Sequence, residues 1–167
     1  MEKTTYTKYD DKKQILVKRE FNAEVPMVWK AWTEPQHLDK WWAPRPWKNE
    51  TKSMNFSNGG NWLYSMEGPA GEKHWAKMKY DNIITHKGYD AVDAFCDEEG
   101  NENLELPGSN WEVRFDGEAE LTKVDVMITF ASTEAMEMTV QMGFKEGFAM
   151  AHNTLDEVLE ALKNNNE

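Results

Sequence analysis

The sequence is short of cysteine and of basic residues, and it has no long apolar run. Cys96 is the single cysteine among 167 residues, so the chain can form no internal disulfide and has no paired cysteine motif for a metal. Thirty acidic side chains against nineteen basic ones give a formal net charge of −11. Nucleic-acid binding needs a basic surface, so we expect no nucleic-acid partner. No apolar run reaches membrane-spanning length, so we also expect no membrane insertion.

The chain also lacks the motifs of targeting, metal and catalytic sites. Its N-terminal residues have no apolar stretch of a secretory signal, which together with the lone cysteine predicts a cytoplasmic protein. His37, His74, His86 and His152 are scattered and form no H-E-x-x-H or comparable spacing. No G-x-S-x-G or Walker sequence occurs, and Cys96 has no evident base beside it. We therefore expect no metal and no cofactor, and enzymatic activity is disfavoured because no acid–base pair can be named.

Aromatic residues, by contrast, are abundant in an otherwise hydrophilic chain, with eight Trp, five Tyr and seven Phe. They carry large apolar area, and a buried Trp also needs a partner for its indole N–H. Two interpretations are open. The rings fill a core, or they line a pocket, since ligand cavities are largely apolar and aromatic with few polar anchors.

Hydrophobic patterning predicts a single α+β domain over residues 1–167, with residues 1–11 as a polar lead-in. Residues 12–21 alternate and predict a first strand, and residues 23–33 and 36–42 have helical spacing and predict two short helices. Alternation and turn signals then predict six strands, at residues 52–56, 61–67, 75–84, 88–95, 111–117 and 123–130. We expect these strands to pair as an antiparallel meander.

The rest of the chain is predicted to be a long helix that begins near Phe144. From there to Leu162, apolar residues recur every three or four positions and define one apolar stripe. Residues 133–142 are expected to form one turn and then a loop, residues 97–107 an acidic loop, and residues 164–167 a frayed tail. A long helix on a strongly curved sheet is expected to enclose an apolar cavity.

Several segments, taken together, resemble one protein family. They are residues 19–23 (REFNA), 28–35 (VWKAWTEP), 37–44 (HLDKWWAP), 59–66 (GGNWLYSM), 68–71 (GPAG) and 147–148 (GF), with Thr154, Leu155 and Leu159. From about residue 15 to residue 162, the chain resembles the activator of heat-shock-protein ATPase homologue family, within the START-like, birch-pollen-allergen-like superfamily. The resemblance implies the helix-grip fold, in which a curved antiparallel sheet of six to seven strands wraps around the long C-terminal helix.

The resemblance also implies where a ligand would lie, because it places the strand face of Trp62, Tyr64 and Met66 inward. Arg19 and Asp93 are candidate polar anchors inside such a pocket, although both are equally compatible with the surface. The candidate cavity-lining residues are Trp29, Trp32, Trp41, Trp42, Phe56, Trp62, Tyr64, Met66, Trp111, Phe144, Phe148 and Ala151.

Three functions are compatible with these features. The leading hypothesis is binding of a small hydrophobic or aromatic molecule in an internal cavity, driven by apolar burial. The resemblance implies, as a second hypothesis, a protein-interaction module of co-chaperone type that modulates a chaperone ATPase. The wider superfamily includes cyclases and hydratases of polyketide-like substrates, which makes catalysis the third hypothesis, although fold analogy alone does not establish it.

Overall fold

The computed structural model, which describes residues 3–106 and 108–165, contains one curved antiparallel sheet of eight strands. The strands of this described part are β1 (Thr5–Tyr9), β2 (Gln14–Phe21), β3 (Lys48–Met54), β4 (Asn61–Glu67), β5 (Lys73–Ile84), β6 (Gly88–Cys96), β7 (Ser109–Glu118) and β8 (Leu121–Phe130). They lie in the order β1-β2-β8-β7-β6-β5-β4-β3. Strands β3 to β8 therefore form a meander, and β2 pairs with its last strand.

Four helices accompany the sheet in the described part of the chain: α1 (Val25–Thr33), α2 (Pro35–Trp41), α3 (Thr133–Gln141) and α4 (Phe144–Asn165). Pro26 lies in the first turn of α1, where a missing backbone N–H costs nothing, and Pro35 begins α2. Helix α1 packs closely on β7 at Gly117, where an added Cβ atom would collide with the Val25 side chain.

One hydrophobic core lies between the inner face of the sheet and the helices. Alternate residues of β8 are buried because a strand turns successive side chains to opposite faces. Helix α4 buries the predicted apolar stripe against them. The buried residues of these two elements include Val124, Val126, Ile128, Phe130, Phe148, Ala151, Leu155 and Leu159.

The predicted α+β class and helix-grip arrangement are confirmed, including the two short helices after a strand and the long C-terminal helix. The predicted count of six to seven strands is wrong, because the described chain has eight. The additional strand, β1, lies inside residues 1–11, which were expected to be only a polar lead-in. Its sequence has no apolar alternation; it pairs with β2, from Thr5 opposite Lys18 to Tyr9 opposite Gln14, and its Tyr6 packs against Phe144.

Most helices and strands begin or end one or two residues from the predicted positions, and three segments differ in other ways. Residues 133–141 form helix α3 rather than one turn and a loop, because the Ser132 side chain accepts a hydrogen bond from the Ala135 N–H and caps the first turn. Strand β3 begins at Lys48, four residues before the predicted start, and ends before Phe56. Of the predicted frayed tail, residues 164 and 165 belong to α4, and residues 166–167 lie outside the described residues. The single-domain organisation stays a prediction.

The predicted acidic loop begins as a hairpin on the outer face of the sheet. Glu102 bridges Cys96 at the end of β6, and Gly100 lies against Leu63, which points away from the core side of β4. The Nζ atom of Lys52 donates to the Glu98 carbonyl at 2.9 Å. This hairpin therefore covers the outer face of β4 and β5 and does not lie over the helix side of the sheet.

Helix α4 is fixed to the sheet by a buried guanidinium. The Arg19 side chain is 1% exposed, and its Nη2 atom donates to Asp156 Oδ2 at 2.6 Å and to Asn153 Oδ1 at 3.0 Å. Its Nη1 atom donates to Thr4 Oγ1 at 2.7 Å. Arg19 was a candidate ligand anchor, but its donors join β2 to α4 and to the N-terminal segment.

The same network reaches a buried histidine. The Nδ1 atom of His152 lies 3.1 Å from Thr4 Oγ1, and within the described residues its Nε2 atom has no hydrogen-bond partner. The ring packs against Phe148 with a centroid distance of 4.2 Å. Burial, and secondarily the charge of Arg19, lowers the pKa of His152 from its ordinary value to about 3. His152 is therefore neutral in the folded protein at neutral and mildly acidic pH.

This depressed pKa predicts an acid sensitivity of the fold that one substitution removes. Because unfolded His152 binds a proton near pH 6.5 and folded His152 does not, its contribution is present above that pH and is lost as the pH falls toward 3. Between pH 7 and pH 5 we expect wild type to lose about 2 kcal/mol of unfolding free energy relative to His152→Gln. Urea denaturation at constant ionic strength measures this difference. The exposed His74→Gln control should follow wild type, and parallel pH profiles of wild type and His152→Gln would contradict the assignment.

Candidate ligand-binding site

Strand β4 turns two stacked aromatic rings toward the core. Trp62 and Tyr64 are buried, and their ring centroids are 3.9 Å apart with an angle of 23° between the planes. Trp42, the residue after α2, packs edge-on against Trp62 at 5.4 Å, and its indole N–H donates to the Tyr64 hydroxyl at 3.2 Å. The β4 alternation and the turn after α2 thus bring three predicted residues together.

Strand β7 and helix α4 extend this arrangement. Trp111 lies 5.8 Å from Trp42 and 5.8 Å from Phe148, measured between ring centroids. Phe144 stacks on Phe148 one turn earlier in α4, at 5.4 Å. We refer to Trp42, Trp62, Tyr64, Trp111, Phe144 and Phe148 as the aromatic cluster.

A polar chain adjoins the aromatic cluster at the start of β7. Oδ1 of Asp93 accepts hydrogen bonds from the Ser109 backbone N–H and hydroxyl, each at 2.7 Å. The Ser109 hydroxyl in turn accepts a bond from the Trp111 indole N–H at 3.0 Å. Asp93 lies opposite Ser109 in the β6–β7 register, so strand pairing sets this geometry.

Asp93 carries an uncompensated charge. Burial raises the pKa of its carboxyl group, against the opposing effect of the Ser109 hydrogen bonds. Within residues 3–106 and 108–165, no Lys, Arg or His nitrogen forms an ion pair with it. The carboxylate is therefore held by neutral donors alone.

A groove of about 320 Å³ begins at this polar chain. We refer to it as the Asp93 groove. Three of its apolar residues are exposed to solvent: Val92 by 51%, Leu104 by 91% and Leu106 by 40%. Its walls come from β6, the β6–β7 connection and the neighbouring ends of β7 and β8, and Asp93 and Ser109 line it. The groove thus joins a solvent-facing apolar surface to the polar chain that contacts the aromatic cluster.

The remaining candidate residues lie outside the aromatic cluster, although Trp32 and Trp41 pack against its Trp42. Trp29 and Phe56 are 5.8 Å apart and pack with Phe115 and Tyr80 in a second aromatic group. Trp32, Trp41 and Ala151 are almost completely buried, and the Trp41 indole N–H donates to the Ala31 carbonyl. Met66 is half-buried at the end of β4. These six residues are therefore packed as core or lie at its margin.

Sequence reasoning missed several residues of the Asp93 groove. Ser109 was not singled out, because the cross-strand partner of Asp93 depends on the β6–β7 register. Val92, Leu104 and Leu106 were also missed, although two apolar residues in an otherwise acidic loop were a usable signal.

A second groove, of about 380 Å³, lies between α2 and the C-terminal half of α4, and the Arg45–Glu157 ion pair lies in its wall.

Two further observations concern the described residues as a whole. Among them, no helix is long and apolar enough to cross a bilayer. No group of three or more His, Cys, Asp or Glu side chains in the same part of the chain is arranged to hold a metal ion.

The single cysteine lies at the end of β6. Burial raises the pKa of the Cys96 thiol, which lies half-buried beside Glu102.

The uncompensated charge of Asp93 predicts that removing it stabilises the fold. A carboxyl group whose pKa is raised on folding does not change the free energy of unfolding at low pH. It lowers that free energy as the pH rises toward the folded-state pKa. Asp93→Asn keeps an oxygen that accepts from Ser109, so we expect a higher unfolding midpoint than wild type at pH 7 and a smaller difference near pH 4. Thermal unfolding at both pH values checks this, with the exposed Asp116→Asn as control. A lower midpoint for Asp93→Asn at pH 7 would contradict it.

Comparison with solved structures places the chain among proteins of the same fold. A solution NMR structure of a protein from Arthrobacter aurescens has a TM-score of 0.88 and 29% identity, over 94% of this chain and 91% of that one. The crystal structure of protein Ms6760 from Mycobacterium smegmatis has a TM-score of 0.85 and 29% identity, over 93% and 96%. Protein NE0264 from Nitrosomonas europaea, at 22% identity and a TM-score of 0.80 over 93% and 99%, shares the fold.

Comparison with curated proteins gave no match. Among protein families, the one described as Activator of Hsp90 ATPase homolog 1-like protein matches residues 22–160. The matched segment includes both short helices, strands β3 to β8 and most of α4, and it contains every residue of the aromatic cluster. The family resemblance seen in the sequence is thereby confirmed, and the protein belongs to the Activator of Hsp90 ATPase homolog 1-like family.

Proposed function

We propose that the protein binds a small hydrophobic or aromatic molecule in the Asp93 groove, next to the aromatic cluster. The observation that carries this proposal is the continuity from the groove through Asp93 and Ser109 to Trp111. Small-molecule sites combine apolar walls with a few convergent polar groups, and they begin at about 300 Å³. A groove of about 320 Å³ is matched to a ligand of modest size.

The groove suits a ligand better than the deep interior does. In the interior, Trp32 lies 4.8 Å from Trp41, Trp42 lies 5.4 Å from Trp62, and Trp62 stacks on Tyr64 at 3.9 Å. A ligand placed among these rings would have to displace side chains that already pack on one another. The internal cavity of the leading sequence hypothesis is therefore replaced, in this proposal, by a site at the edge of the core.

The driving force in the groove is burial of exposed apolar surface. Leu104 is 91% exposed and Val92 is 51% exposed, so a bound molecule removes both from water. Each Å² of apolar surface buried contributes about 25 cal/mol. Ser109 and Asp93 then orient the ligand through their polar atoms, in a wall that also contains the polar residues Asn103 and Asn110.

An amide chemical-shift titration of labelled protein against fatty acids, sterols and flavonoids tests the proposal. We expect saturable shifts at Val92, Leu104 and Ser109 and at the indole signal of Trp111, which donates to Ser109. Leu104→Ser should weaken binding at least threefold, because it removes the most exposed apolar side chain of the groove.

Ile84→Ser is the matched control for this titration. Ile84 is 60% exposed at the end of β5 and does not line the groove, so its replacement should leave the affinity unchanged. No saturable shift with any lipophile, or equal losses in Leu104→Ser and Ile84→Ser, would contradict binding in the groove.

The second candidate function, modulation of a chaperone ATPase, is favoured by the family description. Exposed methionines are also present around α3 and α4: Met138 in α3, Met142 just after α3 and Met150 in α4 are 48%, 71% and 45% exposed. Methionine is common on adaptable protein-binding surfaces.

An ATPase assay with an Hsp90-class chaperone separates the two functions. Because we propose ligand binding, we expect chaperone turnover to be unchanged when the protein is added. An increase that Met138→Lys and Met142→Lys abolish, while Ile84→Lys does not, would favour the co-chaperone function instead.

A further inference from the structure

The charged side chains that line the Asp93 groove are all acidic. Among its described lining residues, the two charged ones are Asp93 and Glu102, and none is Lys, Arg or His. Glu102 is already paired, with its Oε2 atom 3.3 Å from the Nζ atom of Lys77. Asp93 forms no ion pair within the described residues, so one carboxylate of the groove lacks a counter-charge.

Ser109 donates to only one of the two carboxylate oxygens of Asp93. Both of its contacts with Ser109 are made through Oδ1, at 2.7 Å. The side chain is half-buried, and the residue lines the groove. Burial raises the pKa of Asp93, which is the expected response of a carboxylate with no cation beside it. A cation at this place would offset the cost of holding the charge there.

Aromatic rings lie beside the same carboxylate. Trp111 is joined to Asp93 through the Ser109 hydroxyl, and Trp42 packs 5.8 Å from Trp111. Tyr64 is also near, because burial and, to a smaller degree, the charge of Asp93 raise the pKa of its hydroxyl. Trp111 is buried and does not line the groove, so it holds the Ser109 hydroxyl beside the carboxylate rather than contacting a ligand itself.

A negatively charged ligand is disfavoured in the Asp93 groove. A carboxylate ligand in the groove would face both Asp93 and Glu102, with no cationic lining residue in the described part of the chain to receive it. The formal net charge of −11 further repels anions from the surface and attracts cations to it. Long-range attraction alone is not selective, so the specific contribution must come from Asp93.

We propose that the ligand of the Asp93 groove is a small aromatic or hydrophobic molecule with a positively charged amine, whose ammonium group pairs with the Asp93 carboxylate. This inference rests on the proposed function, since it names the chemical class of the molecule that binds there. The apolar part of the ligand lies against Val92, Leu104 and Leu106, and the ammonium group lies at the Ser109 end.

The test compares 2-phenylethylamine with 2-phenylethanol, which have nearly the same size but differ in charge at pH 7. Titration calorimetry at physiological salt, with the chemical-shift titration as second readout, gives the affinity of wild type for each. We expect the amine to bind at least tenfold more tightly than the alcohol, with shifts at Asp93, Ser109 and Leu104. In Asp93→Asn this preference should fall below twofold, whereas Asp116→Asn should keep it.

The two variants have the same net charge, so the comparison separates the Asp93 contribution from general attraction of cations to an acidic protein. Thermal unfolding of each variant establishes that it is folded before binding is measured. Equal affinities of wild type for amine and alcohol, both with shifts in the groove, would overturn the ammonium inference and leave the proposed function intact. An equal loss of preference in both variants would also overturn the ammonium inference. Absence of any groove shift with the amine, the alcohol and the lipophiles would overturn both.

Discussion

The buried guanidinium of Arg19 is the interaction on which the position of α4 depends. A charge that is 1% exposed must be paired, and leaving such a group without its partner costs about 3–5 kcal/mol. Its partners, Asp156 and Asn153, lie on consecutive turns of α4, and Thr4 lies just before β1. The bond geometry therefore fixes the rotation and the height of the helix on β2. Apolar burial brings the helix to the sheet, but non-directional burial alone does not choose this register.

The fixed position of α4 determines where a ligand has room. With Asp156 held by Arg19, Phe148 lies two turns earlier, against Trp111 and Trp42, and fills the space between helix and sheet. The first turn of α4 is tied to β1, because the Tyr6 hydroxyl donates to the Lys145 carbonyl at 2.6 Å. The hydrogen bonds at Lys145 and at Asp156 therefore fix both ends of the helix segment that carries Phe148, and they hold its ring against those of the sheet. The Asp93 groove remains open because the β6–β7 connection, rather than α4, forms its wall.

The sequence predicts elements whose pattern is local and misses those held by distant contacts. The apolar alternation of β8 and the stripe of α4 are readable because the buried apolar residues of both elements lie on the predicted faces. Strand β1 has no such pattern, and it is held by β2 and by a contact between Tyr6 and Lys145, 139 residues apart. Trp42, Trp62, Tyr64 and Trp111 were identified from composition and resemblance. Their link to Asp93 was not predictable, because it passes through Ser109 and the β6–β7 register.

The carboxylate at position 93 is hard to explain by folding alone. Oδ1 accepts hydrogen bonds from two Ser109 donors, and an amide oxygen accepts such bonds equally well in geometry, without a charge that burial disfavours. Residues that lower stability without a compensating contact within the fold are concentrated at functional sites. Arg19 shows the alternative in the same molecule, since its charge is matched by Asp156 and serves the fold. Asp93 has no such match in the described chain, and this difference from Arg19 is the reason for proposing a cationic ligand in the groove.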